Sequence, residues 1–158
     1  MPIIIDSGIF MNTSNVPSFD DMVYMTPLVI DELQHTKTEY LFELFKAKNK
    51  VTILEPTQDN IEKITKQAKH IGQKDLSITD IHVLALCLQF DKPLLVSDDY
   101  DVRNMAHSLN IDSQGITTKG GSQLRKYKFK CLGCGKFYPN EISDCDVCGT
   151  ETFKKMKK

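Results

Sequence analysis

One stretch constrains the fold more than any other: residues 2–8, which read Pro-Ile-Ile-Ile-Asp-Ser-Gly. Three consecutive β-branched residues that run into an acid, a hydroxyl and a glycine predict a short strand buried on both faces. Such strands are typical of parallel sheets, in which ligands bind just beyond the carboxyl ends of the strands. Asp6 is therefore predicted at that edge, where an ionised carboxylate needs a partner because isolated burial costs several kcal/mol.

Short apolar runs alternate with helical patterns up to about residue 118. The runs predict strands at 2–5, 51–54 and 94–96, and a last edge strand within 111–116. Helices are predicted to start near Thr26-Pro27, Thr38, Thr57, Ser77 and Tyr100. Residues 12–25 are predicted as a loop with room for a short helix. This alternation predicts an α/β domain, a parallel sheet flanked by helices.

The composition changes after residue 118. Residues 119–125 are a predicted linker, and residues 126–158 a predicted zinc ribbon with a basic tail. Residues 1–118 carry 10 Lys or Arg against 17 Asp or Glu, whereas residues 119–158 carry 10 against 4. This difference in charge is explained if the acidic residues 1–118 bind cations and the basic residues 119–158 bind a polyanion. Ordinary variation in surface charge is the alternative.

The sequence also predicts a compartment. No apolar run approaches the length of about 18 residues that a membrane span needs, and no secretory signal is recognisable at the start. Four of the five cysteines are paired near the end of the chain, which differs from a secreted disulfide framework. We therefore expect a cytoplasmic protein without membrane association, and we expect Cys87, within an apolar run, to be a core residue.

The strongest motif is a pair of CxxC sequences, Cys131-x2-Cys134 and Cys145-x2-Cys148, each followed by a glycine. Four thiolates at this spacing match the tetrahedral ligand set of structural zinc and leave no open position for catalysis. A unit of about 28 residues cannot bury a core unaided, so the metal would supply much of its folding energy. A redox dithiol or an iron–sulfur site is the alternative.

A second set of residues consists of acids from four separate elements: Asp6, Glu32, Asp80 and the neighbours Asp98 and Asp99. In a parallel sheet these side chains can meet above the carboxyl edge, where Mg²⁺ or Mn²⁺ would relieve their repulsion. That chemistry favours metal-assisted hydrolysis of a phosphodiester. Each acid also has a simpler explanation: Asp80 can complete a capping box with Ser77, Asp98 and Asp99 can cap a helix, and Glu32 can lie on the surface.

Four segments together resemble the PIN-domain nucleases: Ile-Ile-Asp-Ser-Gly at 4–8, Thr-Pro-Leu-Val-Ile-Asp-Glu-Leu at 26–33, Ser-Ile-Thr-Asp at 77–80, and Leu-Leu-Val-Ser-Asp-Asp-Tyr at 94–100. With the C-terminal CxxC pair, the chain is similar to the archaeal Nob-type endoribonucleases. The resemblance implies a PIN domain over 1–118, a zinc ribbon from 126, and maturation of the 3′ end of small-subunit (16S-type) pre-rRNA in the pre-small-subunit particle.

Carried over to this sequence, the resemblance implies that Asp6, Glu32, Asp80 and Asp99 are catalytic, with Asp98 as the alternative to Asp99. Mg²⁺ or Mn²⁺ is expected at Asp6, Asp80 and Asp99, with Glu32 as a ligand or a base. Ser97 is expected to hydrogen-bond a metal ligand or a water molecule.

We predict that basic residues of the ribbon bind the RNA backbone, with aromatic residues between them. The predicted contacts are Lys126, Lys128, Lys130 and Lys136, interleaved with Tyr127, Phe129, Phe137 and Tyr138. The alternative is that about half of these aromatic residues form the small core of the ribbon. Two rival functions remain: a toxin-type PIN ribonuclease, and a non-catalytic RNA-binding factor of ribosome assembly.

Overall fold

The computed structural model describes residues 1–11, 15–34, 38–73, 75–117, 127–139 and 142–157. In chain order, its first part contains β1 (Ile3–Ile5), α1 (Gly8–Met11), β2 (Val23–Met25), α2 (Pro27–Gln34), α3 (Glu39–Lys48), β3 (Val51–Ile53), α4 (Gln58–His70), α5 (Ile78–Cys87), β4 (Leu94–Val96), α6 (Tyr100–Ser108) and β5 (Asp112–Gln114). The second part contains β6 (Tyr127–Cys131), β7 (Phe137–Tyr138) and β8 (Phe153–Lys157). The predicted linker, 119–125, and Lys126 lie outside the described residues, so the domain boundary stays a prediction.

The first five strands form one parallel sheet in the order β3-β2-β1-β4-β5. The chain builds outward from β1 on one side through β2 and β3, and on the other side through β4 and β5. The direction of winding therefore changes between β1 and β4. In open parallel sheets, ligands bind outside the carboxyl ends of the strands at such a point.

The presence of strand β2 differs from the prediction for residues 12–25, which is a loop with room for a short helix. Val23–Met25 pair with both β1 and β3, and the short helix lies earlier, at Gly8–Met11. A run of three residues is too short to show a strand period, so only its pairing with neighbours makes it a strand. The other strands and helices agree with their predicted positions to within a few residues.

The core lies between the sheet and the helices. All three residues of β1 are buried, as its continuous apolar run predicted. Helix α5 is buried from Val83 to Cys87, so Cys87 is a core residue, and burial raises the pKa of its thiol. In the described part of the chain, no helix is both long and apolar enough to cross a membrane.

The last three strands form a small antiparallel sheet in the order β7-β6-β8. Strand β8 is an addition to the prediction, because Phe153–Lys157 had been assigned partly to a basic tail. Phe129 and Tyr138 are buried in the core of this ribbon, with Phe153 packed against them. On β8, Lys155 Nζ lies 2.7 Å from an oxygen of Asp75, in the segment between α4 and α5.

Candidate active site and candidate metal centre

Asp6 follows β1 directly, and it is 3% exposed. The hydroxyl of Ser97, which follows β4, donates a hydrogen bond to Asp6 Oδ2 at 2.7 Å. The two residues meet because β1 and β4 are parallel neighbours. Burial raises the pKa of Asp6 to about 6; the Ser97 hydrogen bond opposes this, and the charges of Asp80 and Asp99 add to it. Asp6 thus lies beside other carboxylates at the carboxyl edge of the sheet.

Glu32 reaches the same edge from α2, the helix that follows β2. Its carboxylate accepts a hydrogen bond from the hydroxyl of Ser7, with 2.6 Å between Ser7 Oγ and Glu32 Oε2. The charge of Glu32 is also one of the causes that raise the pKa of Asp80.

Asp80, in the first turn of α5, has two roles. It completes a capping box: its carboxylate accepts from the Ser77 amide at 2.7 Å, and its own amide donates to the Ser77 hydroxyl at 3.1 Å. Burial raises the pKa of Asp80; the hydrogen bonds from Ser77 lower it, and the charges of Asp99 and Glu32 raise it. The capping explanation is therefore correct, and the same residue also takes part in the acidic cluster.

The structure separates the two neighbouring acids after β4. The carboxylate of Asp98 accepts hydrogen bonds from the Ile116 amide at 2.8 Å and from the Thr117 hydroxyl at 2.7 Å. Asp99 caps α6 and is one of the charges that act on Asp6 and Asp80. The carboxylate of Asp98 thus anchors the segment after β5, while the charge of Asp99 acts on Asp6 and Asp80, so the structure favours Asp99 over Asp98 as the acid of this pair in the predicted site.

We define the acidic cluster as Asp6, Glu32, Asp80 and Asp99. The charges that act on Asp6 and Asp80 come from other members of the cluster. Burial and repulsion from neighbouring acids both disfavour the ionised forms of Asp6 and Asp80, and a divalent cation with oxygen ligands would remove both penalties. The cluster therefore has the donor chemistry and the charge that fit a hard divalent cation.

The four cysteines of the CxxC pair lie together in the ribbon. Their sulfur atoms are all within 4.8 Å of one another, the one group of potential metal ligands this close among the described residues. Two of the Sγ–Sγ distances, Cys131 to Cys148 and Cys134 to Cys145, are 3.5 Å. This exceeds the disulfide bond length of about 2.05 Å. It approaches the edge of about 3.8 Å that a tetrahedron of thiolates around zinc would have.

Backbone and side-chain groups around the sulfurs suit a metal centre. Gly135 and Gly149, each directly after a CxxC, have φ angles of 80° and 69°, so the predicted tight turns require glycine there. The Gly133 amide donates a hydrogen bond to Cys131 Sγ at 3.3 Å. The Tyr138 hydroxyl lies 3.0 Å from Cys145 Sγ, and this contact lowers the pKa of that thiol, which favours the thiolate that binds metal.

The predicted RNA-binding residues separate into different environments. Lys128 Nζ and Lys130 Nζ lie 4.5 Å and 5.8 Å from the ring centre of Phe137, which is 48% exposed. Lys136 instead pairs with both carboxylate oxygens of Asp146, at 2.9 Å and 2.8 Å. Lys136 is also exposed, but Asp146 already pairs with it, so we leave it out of the basic face defined below.

The aromatic residues also divide. Phe129 and Tyr138 are core residues and do not interleave with the lysines at the surface, whereas Phe137 does. The strand register adds Lys154, which sits opposite Lys130 and so shares its face. We define the basic face as Lys128, Lys130, Lys154 and Phe137.

Two members of these sites were missed by sequence reasoning. The sequence predicts Lys154 as part of a basic tail, and only the pairing of β8 places it on the basic face. The sequence predicts Ser7 only as part of the turn after the first strand. Its position next to Asp6 was the available signal, but nothing local shows that its hydroxyl turns toward Glu32, 25 positions away.

The parallel sheet and the acidic cluster at its edge agree with a comparison of the sequence with known protein families. Residues 3–90 match the model described as "PIN domain of ribonuclease", which covers more than half of the chain. The chain is thus a PIN-domain ribonuclease with a cysteine-rich ribbon at its C-terminal end.

Similar proteins of archaea show which family of PIN-domain ribonucleases the chain belongs to. The chain is 34% identical to Endoribonuclease Nob1 of Methanocaldococcus jannaschii over 85% of this chain and 68% of that protein. It is 32% identical to Endoribonuclease Nob1 of Archaeoglobus fulgidus over 98% of this chain and 91% of that protein. Ribonuclease VapC1 of Thermoplasma acidophilum is 30% identical over 82% of this chain and 66% of that protein. The chain belongs to the archaeal Nob1 endoribonuclease family, and RNA is its substrate.

Proposed function

We propose that this endoribonuclease matures the 3′ end of small-subunit pre-rRNA, acting on the precursor within the pre-small-subunit particle in the cytoplasm. The observation that carries the proposal is a set of four acids from separate elements whose charges act on one another, in one chain with a basic ribbon in which four cysteines lie together. Similarity to Nob1 proteins over nearly the whole chain supports it. The PIN domain and the ribbon are proposed as two units joined by a linker at 119–125.

We propose Mg²⁺ or Mn²⁺ at the acidic cluster, with Asp6, Asp80 and Asp99 as ligands. A divalent cation bound there supplies a nucleophile at neutral pH and neutralises charge that develops on the phosphoryl oxygens. Ser97 holds Asp6, and Ser77 holds Asp80, so both carboxylates keep their orientation when the substrate arrives. We propose zinc at the four cysteines, which organises the ribbon and its basic face and takes no part in cleavage.

The proposal is tested with an RNA that spans the 3′ end of the small-subunit RNA. We expect the full-length chain to cut this RNA near the mature end with Mn²⁺ and to leave it intact with EDTA. Excess Mn²⁺ with one equivalent of Zn²⁺ should restore cutting after EDTA.

Two outcomes would favour the rival functions. Cutting of unrelated RNAs, but not of the precursor, would indicate a toxin-type ribonuclease; the 30% identity to Ribonuclease VapC1 is the observation in its favour. Tight binding of the precursor without cutting at any Mn²⁺ concentration would indicate a non-catalytic assembly factor.

The basic face predicts how RNA affinity depends on salt. In the double variant Lys128→Gln/Lys130→Gln, the slope of log affinity against log salt should become less steep by about 1.4, at about 0.7 per lost phosphate contact with single-stranded RNA. Lys136→Gln is the matched control, because Asp146 already pairs with that lysine, and its slope should equal that of wild type. The measurement is fluorescence anisotropy across a salt series. An equal effect of Lys136→Gln would contradict the assignment of the basic face.

A further inference from the structure

Ser7 forms a hydrogen bond whose direction is informative. The side chain is buried, with 7% of the residue exposed, and its hydroxyl lies 2.6 Å from Glu32 Oε2. A serine hydroxyl has one hydrogen to donate, and a carboxylate can only accept when it is ionised. A distance this short is typical of a strong hydrogen bond to a carboxylate, and Ser7 is the donor.

The contact also restricts the geometry of Glu32. A glutamate on a helix has several rotatable bonds, and ordering them costs conformational entropy. The Ser7 hydroxyl orders the carboxylate by engaging Oε2, and Ser7 is itself the residue after Asp6 in the chain. The charge of Glu32 acts on Asp80 within the acidic cluster. The arrangement therefore holds the Glu32 carboxylate in place before any cation arrives.

The same device occurs at Asp6, whose carboxylate is held by the hydroxyl of Ser97 at 2.7 Å. Groups that orient metal ligands in this way typically contribute 10- to 100-fold to metal affinity or activity. A general base has a different requirement, since it must accept a proton during the reaction. A carboxylate whose orientation is fixed by a hydroxyl donor therefore suits a metal ligand better than a base.

We propose that Ser7 is a positioning residue that fixes Glu32 as a ligand of the divalent cation. This inference rests on the proposed function in one respect only, namely that the acidic cluster binds such a cation. It assigns Ser7 a role in the reaction, and it decides between the two roles, ligand and base, that the sequence left open for Glu32.

The test measures binding of Mn²⁺ alone to the zinc-loaded full-length chain, by the loss of the electron paramagnetic resonance signal of free Mn²⁺. Ser7→Ala should weaken Mn²⁺ binding about tenfold or more, and the Mn²⁺ concentration that gives half-maximal cleavage should rise by the same factor. Ser7→Thr keeps the hydroxyl and should restore Mn²⁺ affinity. In a Glu32→Gln background, Ser7→Ala should cause no further loss, because the ligand that it positions is already gone.

Ser108→Ala is the matched control, since the Ser108 hydroxyl bonds to the Met105 carbonyl within α6, and it should leave Mn²⁺ affinity unchanged. Unchanged Mn²⁺ affinity in Ser7→Ala would overturn the inference. So would a slower rate at saturating Mn²⁺ with normal affinity, which would make Glu32 a base. If the wild-type chain bound no Mn²⁺ at all, the proposed cation itself would be wrong, and this result is distinct from the other two.

Discussion

Asp6→Asn should reduce RNA cleavage on the order of 10³-fold or more while RNA affinity stays within about twofold of wild type. Asn has the same shape and can still accept the Ser97 hydrogen bond, so the substitution removes charge rather than structure. Asp6 is the most buried acid of the cluster. Removal of its charge from the proposed metal site should cost several kcal/mol of transition-state stabilisation, which corresponds to this rate effect. The measurement pairs single-turnover cleavage with RNA binding by anisotropy.

The same variant should also have a changed free energy of unfolding when no Mg²⁺ or Mn²⁺ is present. Burial and neighbouring charges raise the pKa of Asp6 to about 6 from a usual 3.8, so the folded state loses stability as pH rises between these values. The cost is fully present at pH 7 and reaches about 3 kcal/mol. Asp6→Asn should therefore stabilise the chain at pH 7 by up to about 3 kcal/mol in urea unfolding, and this gain should vanish below about pH 4.

Asp98→Asn provides the matched control for cleavage. Its carboxylate anchors the segment after β5 through Ile116 and Thr117, so the variant should retain most of the activity. Cleavage by Asp6→Asn at the wild-type rate would refute the catalytic role of the acidic cluster.

The second large effect concerns the ribbon. Cys131→Ser should release the bound zinc and unfold residues 127–157, while the PIN domain keeps its own cooperative unfolding transition. The reason is that binding of structural zinc contributes about 10–16 kcal/mol of apparent folding free energy in small units, whereas the ribbon core has few apolar side chains. The basic face depends on the pairing of β6 with β7 and β8. Unfolding of the ribbon would remove the salt-dependent contacts between this face and the RNA phosphates, so RNA affinity should fall at least tenfold.

Zinc content per chain and amide spectra of the two parts provide the measurement. Cys87→Ala is the control, because Cys87 is buried in the PIN core and should not affect zinc content. A Cys131→Ser chain that kept one zinc ion and wild-type RNA affinity would show that the four cysteines are not the metal site that organises the ribbon.

Features that depend on neighbouring residues were predictable from the sequence. The glycines at 135 and 149 follow their cysteines directly, and their positive φ angles are local properties of each turn. The capping box of Ser77 and Asp80 spans four residues, and the buried strand at Ile3–Ile5 is contained in its own apolar run. Each of these patterns contains both partners of the interaction within a short segment.

Features that depend on residues distant in the chain were not predictable from the sequence. Strand β2 has no clear pattern of its own, and its identity depends on the flanking strands β1 and β3. Asp98 and Asp99 are adjacent acids, and their different hydrogen bonds appear only once Thr117 is seen to bond to the first of them. Lys136 looked like the other basic residues until the chain folded Asp146 against it.

By itself, the sequence determined the class of fold, the paired cysteines and the set of candidate acids, because apolar periodicity and residue spacing are encoded locally. Only the tertiary structure decided which of those acids act on one another, which lysine pairs with Asp146, and that Ser7 bonds to Glu32. These features depend on hydrogen bonds and charges between elements that are far apart in the chain. The sequence pattern does not contain the distances between those elements.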